Sequence, residues 1–487
     1  MVKRRILAGA FGLAALLTPQ IAVAEDVTPK NIIVMIADGA GYNMLAATRY
    51  WHGRGLAVDG GGWETAALST YALRRDKDPL GAAQDPDLVY DSAKNWDAAP
   101  LAGDSECAEG YPVGWAGYEW NRCTYPDSAG TMSAMMTGIR AYNGALNVDG
   151  MAEAVQSVPE AAKAAGMRVG SISSVPFTHA TVASGGGAHN EARGNYHEIA
   201  AELLRAGTLD ILGGGGHPLF GGAGEPQPDP VIDEETGADE RFAWLSPEDW
   251  AGVRDGSLGW TLVEDRADIQ ALATMPKDGR ILMLPKVART LQMERPPKMA
   301  EPGDPRQQVP GETPMTPGIP TLTEMTAAAL THLEGDAGLF LQVEGGAVDW
   351  AMHANFLGRA IEEQTDFDNA VRLVEAWVAD PSNGSSWANT LVVVTADHDH
   401  MLFGPSADVP FQPVSNRGAG QLPGHIWWSG SHSNQLVPFF VRGAGSARLM
   451  AEADEIDRAV VNGQVVGRGK YLTQPEMGQV LLDLVVR

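Results

Sequence analysis

Acidic and imidazole side chains stand just beyond the carboxyl ends of several apolar runs. The run Ile32–Ala37 stops at Asp38, and Leu339–Val343 runs into Glu344, then Asp349 and His353. Leu391–Thr395 leads, through one alanine, to Asp397, His398, Asp399 and His400, and the run near Val169 leads to Thr178, His179 and Thr181. Ionisable groups at the end of a core strand cost free energy unless something compensates them. A single aspartate there is ordinarily a turn residue or a cap. The same pattern at four run ends points instead to one shared pocket. Imidazole nitrogen with carboxylate oxygen suits catalytic zinc, and carboxylates with a hydroxyl suit magnesium. Asp349 and His353, four apart, share one helix face.

A nucleophile candidate lies in "TYPDSAGTMSAMMTGIRAYNGALNVDG". Ser128 would occupy the first turn of a packed helix, where free N–H groups favour an anion. The alternative is that Asp127 or Ser128 merely caps that helix. A serine without a partner base can still be activated by a metal.

These residues need a scaffold that brings run ends together. Short apolar runs, with Leu209–Leu212 and Leu436–Val441 added to those above, alternate with helical or Gly-rich segments such as "HEIAAELLRAG". That alternation predicts an α/β fold with a large, mostly parallel central sheet and helices on both faces. Open parallel sheets form their sites outside the carboxyl ends of the strands. Residues 217–320 are rich in Pro, Gly and acid and read as an insertion or lid within a single catalytic domain spanning 25–487.

The chain's 487 residues are 44% hydrophobic, enough for a sizeable core. Residues 1–24 have a basic start, an apolar run Ile6–Leu17 and Ala22-Val23-Ala24, which together predict a cleaved secretory signal. An N-terminal membrane anchor is the alternative, but the run is shorter than the roughly 20 residues a span needs. Export by the general or the twin-arginine route stays open. A periplasmic or secreted protein follows, with no membrane span after cleavage. The formal charge is −26, and removing the three cations of the leader leaves −29. Such acidity argues against nucleic acid as a partner and would attract cations. The only cysteines, Cys107 and Cys123, are expected to pair in an oxidising compartment.

Together the motifs resemble those of the alkaline phosphatase family over nearly all of the mature chain. "IADGAG", "PDSAGTMSAMMTGIRAYNGALNVD", "VPFTHATVASGGGAHNEARGNY", "VEGGAVDWAMHAN", "TADHDH" and "GSHSNQLVPFF" are similar to six ordered family motifs. The resemblance implies an exported enzyme that hydrolyses phosphate monoesters with low specificity through a phosphoserine on Ser128. Arg193 would hold two phosphate oxygens through its guanidinium fork. It implies two zinc ions, one on Asp349, His353 and His432 and one on Asp38, Asp397 and His398. A magnesium ion would lie on Asp38, Thr181 and Glu344, and His400 would hydrogen-bond Asp349. Small phosphate esters are the implied substrates, and family members are often homodimers.

Some assignments stay open at this point. His179 and Trp350 sit where family members differ. His179 either approaches the third ion, which would admit zinc or cobalt there, or only packs nearby. Arg140 and Arg168 are weaker alternatives to Arg193. Asp399 either shapes the turn or adds negative potential. The tryptophans of "GHIWWSGSHS" either line the pocket mouth or pack. A related phosphodiesterase or sulfatase-like hydrolase, and a non-catalytic phosphate- or zinc-binding protein, are the competing functions.

Overall fold

The computed structural model describes residues 28–73, 87–296 and 308–486, so the leader expected at 1–24 lies outside the described residues. Fifteen strands occur among them. They are β1 (Asn31–Ile36), β2 (Glu64–Ser69), β3 (Arg168–Pro176), β4 (Ile211–Gly215), β5 (Trp260–Val263), β6 (Arg280–Met283), β7 (Leu339–Glu344) and β8 (Thr390–Thr395). There follow β9 (Asp399–Phe403), β10 (Ile426–Ser433), β11 (Val437–Gly443), β12 (Glu455–Asp457), β13 (Val460–Val461), β14 (Gln464–Val465) and β15 (Gly469–Thr473).

Eleven of these form one sheet in the order β12-β15-β2-β11-β8-β1-β7-β3-β4-β6-β5. The run from β8 to β5 is parallel throughout. β11 is antiparallel to both of its neighbours. The sheet is therefore mixed but mostly parallel, as the apolar runs predict. Every residue of β1, β7 and β8 is buried. Successive side chains of a strand point to opposite faces, so both faces of the sheet centre are covered. This explains why these strands read as continuous apolar runs rather than as alternating ones.

The stretch 217–320 is not confined to loops. β5 and β6 arise within it and extend the sheet at one edge. β6 opens the apolar stretch "ILMLPKVARTLQ", which reads as structured, whereas β5, four residues of mixed composition, shows no clear run in the sequence. Outside the sheet, β9 and β10 form an antiparallel pair, and Cys107 and Cys123 are joined by a disulfide. Among the described residues, no helix is long and apolar enough to cross a membrane.

Candidate metal centre

Topology brings the run ends together. β8, β1, β7 and β3 are consecutive neighbours in the sheet, and all point the same way. Asp38 follows β1, Glu344 closes β7, and Asp397 and His398 follow β8. Helix Ala347–His353 begins soon after β7 and carries Asp349, Trp350 and His353. Helix Ala180–Gly185 follows β3, with His179 at its N-cap and Thr181 in its first turn. His400 on β9 and His432 on β10 are direct cross-strand partners, so one pairing register delivers two imidazoles. Gly39 makes the approach of β9 feasible: its φ is +69°, and a Cβ there would sit 2.7 Å from the His400 ring.

The side chains gather into three overlapping groups. Asp349 Oδ1 lies 2.6 Å from His400 Nε2, 3.3 Å from His432 Nε2 and 3.4 Å from His353 Nε2. His432 Nε2 is in turn 2.9 Å from His353 Nε2. The second group is Asp38, Asp397 and His398, with His398 Nε2 3.2 Å from Asp38 Oδ1 and 3.4 Å from Asp397 Oδ2. The third is Asp38, His179 and Glu344. Asp38 is shared by the second and third groups. The His398 and His432 rings stack at 3.5 Å, which ties the first group to the second.

Several polar atoms here are buried and lack a hydrogen-bond partner. They include both carboxylate oxygens of Asp38 and of Glu344, Thr181 Oγ1, and the Nδ1 atoms of His179, His398 and His400. Burial, reinforced by the carboxylates of Asp397, Asp349 and Glu344, pushes the Asp38 pKa well up. Glu344 is pushed up to about 8, mainly by burial. His398 is held well below its usual range, first by burial and then by neighbouring histidines. At Asp38, Glu344 and His398 the protein groups alone therefore do not stabilise the charged forms, whereas His353, His400 and His432 hold Asp349 well below its usual range. A cation fits both needs: it would neutralise the acids and take lone pairs from neutral imidazoles. The oxygen and nitrogen donors suit zinc in the first two groups.

Other orientations are fixed by the protein. His353 Nδ1 is 2.7 Å from the Gly430 carbonyl, and His432 Nδ1 is 2.8 Å from the Pro126 carbonyl. These contacts aim both Nε2 atoms at Asp349. Asp397 Oδ1 accepts from the backbone N–H groups of Gly39 and His398 at 3.0 Å each. Asp399, the first residue of β9, accepts at 2.6 Å from the hydroxyl of Ser433, its cross-strand partner on β10.

Ser128 opens helix Ser128–Thr137, and Asp127 is the N-cap, accepting from the Gly130 N–H at 3.0 Å. The cap and the nucleophile candidate are thus adjacent residues with separate tasks. Ser128 Oγ lies 3.2 Å from His398 Nε2. Arg193 donates from Nη1 to Asp127 Oδ2 at 3.0 Å and from Nη2 toward His179 Nε2 at 2.9 Å. Ser128, His179, Arg193, Trp350 and His432 all face one cavity of about 740 Å³. Arg140 and Arg168 are engaged elsewhere, with the Leu88 carbonyl and His332.

Two participants escaped the sequence reading. Asp127 carries Arg193 as well as capping the helix. Arg289, from the 217–320 stretch, stands over the Trp350 ring at 4.6 Å and lines the cavity. No motif marks Arg289, because only the fold brings it to the site. By contrast, His189, His197, His217, His332 and His425 each have a protein partner away from the site. Trp428 is fully buried beside Trp115 and Tyr118, so that part of "GHIWWSGSHS" packs.

The family model for alkaline phosphatase matches residues 112–421. The chain belongs to the alkaline phosphatase family. Alkaline phosphatase 3 of Bacillus subtilis is 28% identical over 393 residues, which cover 78% of this chain and 63% of that one. The Escherichia coli K12 alkaline phosphatase is 26% identical over 424 residues, covering 79% and 74%. Among solved structures, the alkaline phosphatase of the Antarctic bacterium TAB5 has a TM-score of 0.57 at 22% identity. It covers 94% of this chain and 98% of its own. That likeness shows a shared fold. Family membership places the chain among metal-dependent phosphomonoesterases. Asp38 and His432 fall outside the matched range yet join the same cluster as the residues within it.

Proposed function

We propose that the chain is an exported alkaline phosphatase that hydrolyses phosphate monoesters with low specificity and releases inorganic phosphate. The observation that carries this reading is the position of Ser128 Oγ. It stands at a helix start, 3.2 Å from His398 Nε2, in a cavity shared with the Arg193 guanidinium. Two zinc ions on Asp349, His353 and His432 and on Asp38, Asp397 and His398, with magnesium on Asp38, Thr181 and Glu344, would supply Lewis-acid charge and lower the Ser128 pKa. His179 beside Asp38 and Glu344 leaves the third site open to zinc or cobalt in place of magnesium.

The residues divide the work. Ser128 Oγ attacks phosphorus, the P–Oγ bond forms, and the ester P–O bond breaks with departure of the alcohol. Water then cleaves the phosphoserine and restores the hydroxyl. Arg193 holds two non-bridging oxygens, and Asp127 sets the plane of its guanidinium. Helix N–H groups beside Ser128 add partial positive charge at the phosphoryl group. His400, 2.6 Å from Asp349, fixes the orientation of that carboxylate. The Cys107–Cys123 disulfide supports an exported location. Residues 25–487 would act as one catalytic domain, with part of 217–320 walling the cavity.

The test is hydrolysis of p-nitrophenyl phosphate and of bis(p-nitrophenyl) phosphate before and after chelation. Strong monoester activity, lost on chelation and restored by zinc and magnesium, is expected. Dominant diester hydrolysis, or activity indifferent to chelation, would overturn the reading.

A further inference from the structure

The cavity is far larger than a phosphate needs, and its lining carries charged side chains besides Arg193, with Arg289 and Glu294 among them. Arg193 sits at the inner end, beside Ser128. From its guanidinium a continuous line of side chains leads outward. Arg193 Nη2 meets His179 Nε2 at 2.9 Å, and the His179 ring meets the Trp350 ring edge-on at 5.5 Å. The Arg289 guanidinium lies over Trp350 at 4.6 Å from the ring centroid. Of the three arginines on the cavity lining, Arg193 and Arg289 are thus separated by one imidazole and one indole.

The two arginines differ in how they are held. Arg193 is fixed by Asp127 and only 18% exposed at its side chain. Arg289 is 51% exposed, and its single ion pair uses Nε, 3.2 Å from Glu294 Oε1. Among the described residues, its two terminal nitrogens have no protein acceptor. Contact with the Trp350 face restrains the group and lowers the entropy lost when it binds an anion. Arg295, on the same cavity wall, is not equivalent. It is 3% exposed and committed to Glu362 and to backbone carbonyls.

We infer that Arg289 forms a second anion subsite, which favours phosphate monoesters bearing another anionic group several bonds from the scissile phosphate. The inference rests on the phosphomonoesterase reading above and narrows its substrate class. A carboxylate or a second phosphate would share the same recognition, since the terminal nitrogens can donate to two oxygens. A directly adjacent group, as in pyrophosphate, would fall short of Arg289, because the imidazole and indole intervene.

The experiment compares phosphate monoesters of linear alkanediols with those of ω-hydroxyalkanoic acids of matched length. The distant charge leaves the leaving-group pKa nearly unchanged, so the ratio of kcat/KM reports the subsite. The expected carboxylate preference is about fivefold at low salt, the scale of a half-exposed ion pair. It should peak at one chain length and shrink as ionic strength rises. Arg289→Ala should bring the ratio close to one, and Arg289→Lys should keep part of it. Binding of the matching non-hydrolysable alkylphosphonates should show the same pattern by calorimetry. A ratio near one in the unaltered protein, or equal losses on both esters in Arg289→Ala, would overturn the inference while leaving the phosphatase reading intact. Failure to hydrolyse any monoester would overturn the phosphatase reading itself.

Discussion

Two buried aspartates in this molecule have opposite surroundings. Asp457 is 2% exposed and accepts from Tyr90 Oη, Ser92 Oγ, Trp96 Nε1 and the backbone N–H groups of Ala459 and Arg468. Burial pushes its pKa up, but these hydrogen bonds outweigh it and hold the carboxyl below its usual value. Asp38 is fully buried, and neither of its oxygens has a hydrogen-bond partner. Its pKa is pushed well up. The protein completes the first carboxylate with its own donors. It leaves the second without them. Burial alone therefore does not mark a site; a buried carboxylate without donors does.

The sharpest way to break this contrast is at the nucleophile. Ser128→Ala should lower kcat on a phosphomonoester by about a thousandfold or more, with the melting temperature nearly unchanged. Ser92→Ala removes one donor to Asp457 and should cost about 1 kcal/mol of stability while sparing turnover. If the two variants exchanged phenotypes, the contrast would be wrong. A smaller effect is expected at Arg193. Replacing it with alanine should weaken both KM and inhibition by inorganic phosphate by about tenfold to a hundredfold. Unchanged values of both would remove Arg193 from phosphate binding.

Stability offers a subtler comparison. Asp457→Asn should cost about 1–3 kcal/mol and leave the metal content alone. Asp38→Asn should strip bound ions, yet leave the metal-free protein as stable as before or more so, because an acid whose ionisation is opposed by burial is gone. The pH dependence should also have opposite signs. The Asp457 contribution is present above its unfolded pKa of 3.8 and is lost as pH falls through the lower folded value. Glu344 is held up at about 8, so metal-free protein should lose stability as pH rises from 4.5 toward 8. Zinc and magnesium should flatten that slope in thermal melts.

Much of this was legible in the chain. β1, β7 and β8 are covered on both faces, so they read as uninterrupted apolar runs, and the candidate ligands follow them directly. Asp349 and His353 are local in sequence, as are Asp397 and His398. His400 was expected against Asp349 and lies there at 2.6 Å. What stayed hidden depends on tertiary placement. β5 is too short and too mixed in composition to show a run. Arg289 reaches the cavity only because the fold sets its guanidinium over Trp350. The exact partition of His179 between Arg193 and the third group is likewise a matter of packing, which spacing does not encode.

The central claim is that the acids and imidazoles gathered beyond β1, β7 and β8, the unpartnered Asp38 and Glu344 among them, form a multi-metal centre. Metal analysis of the purified, active protein by mass spectrometry tests it most directly. About three ions per chain are expected, two of them zinc, falling in Asp38→Asn and unchanged in Asp457→Asn. A fully active protein carrying one ion or none would contradict the account.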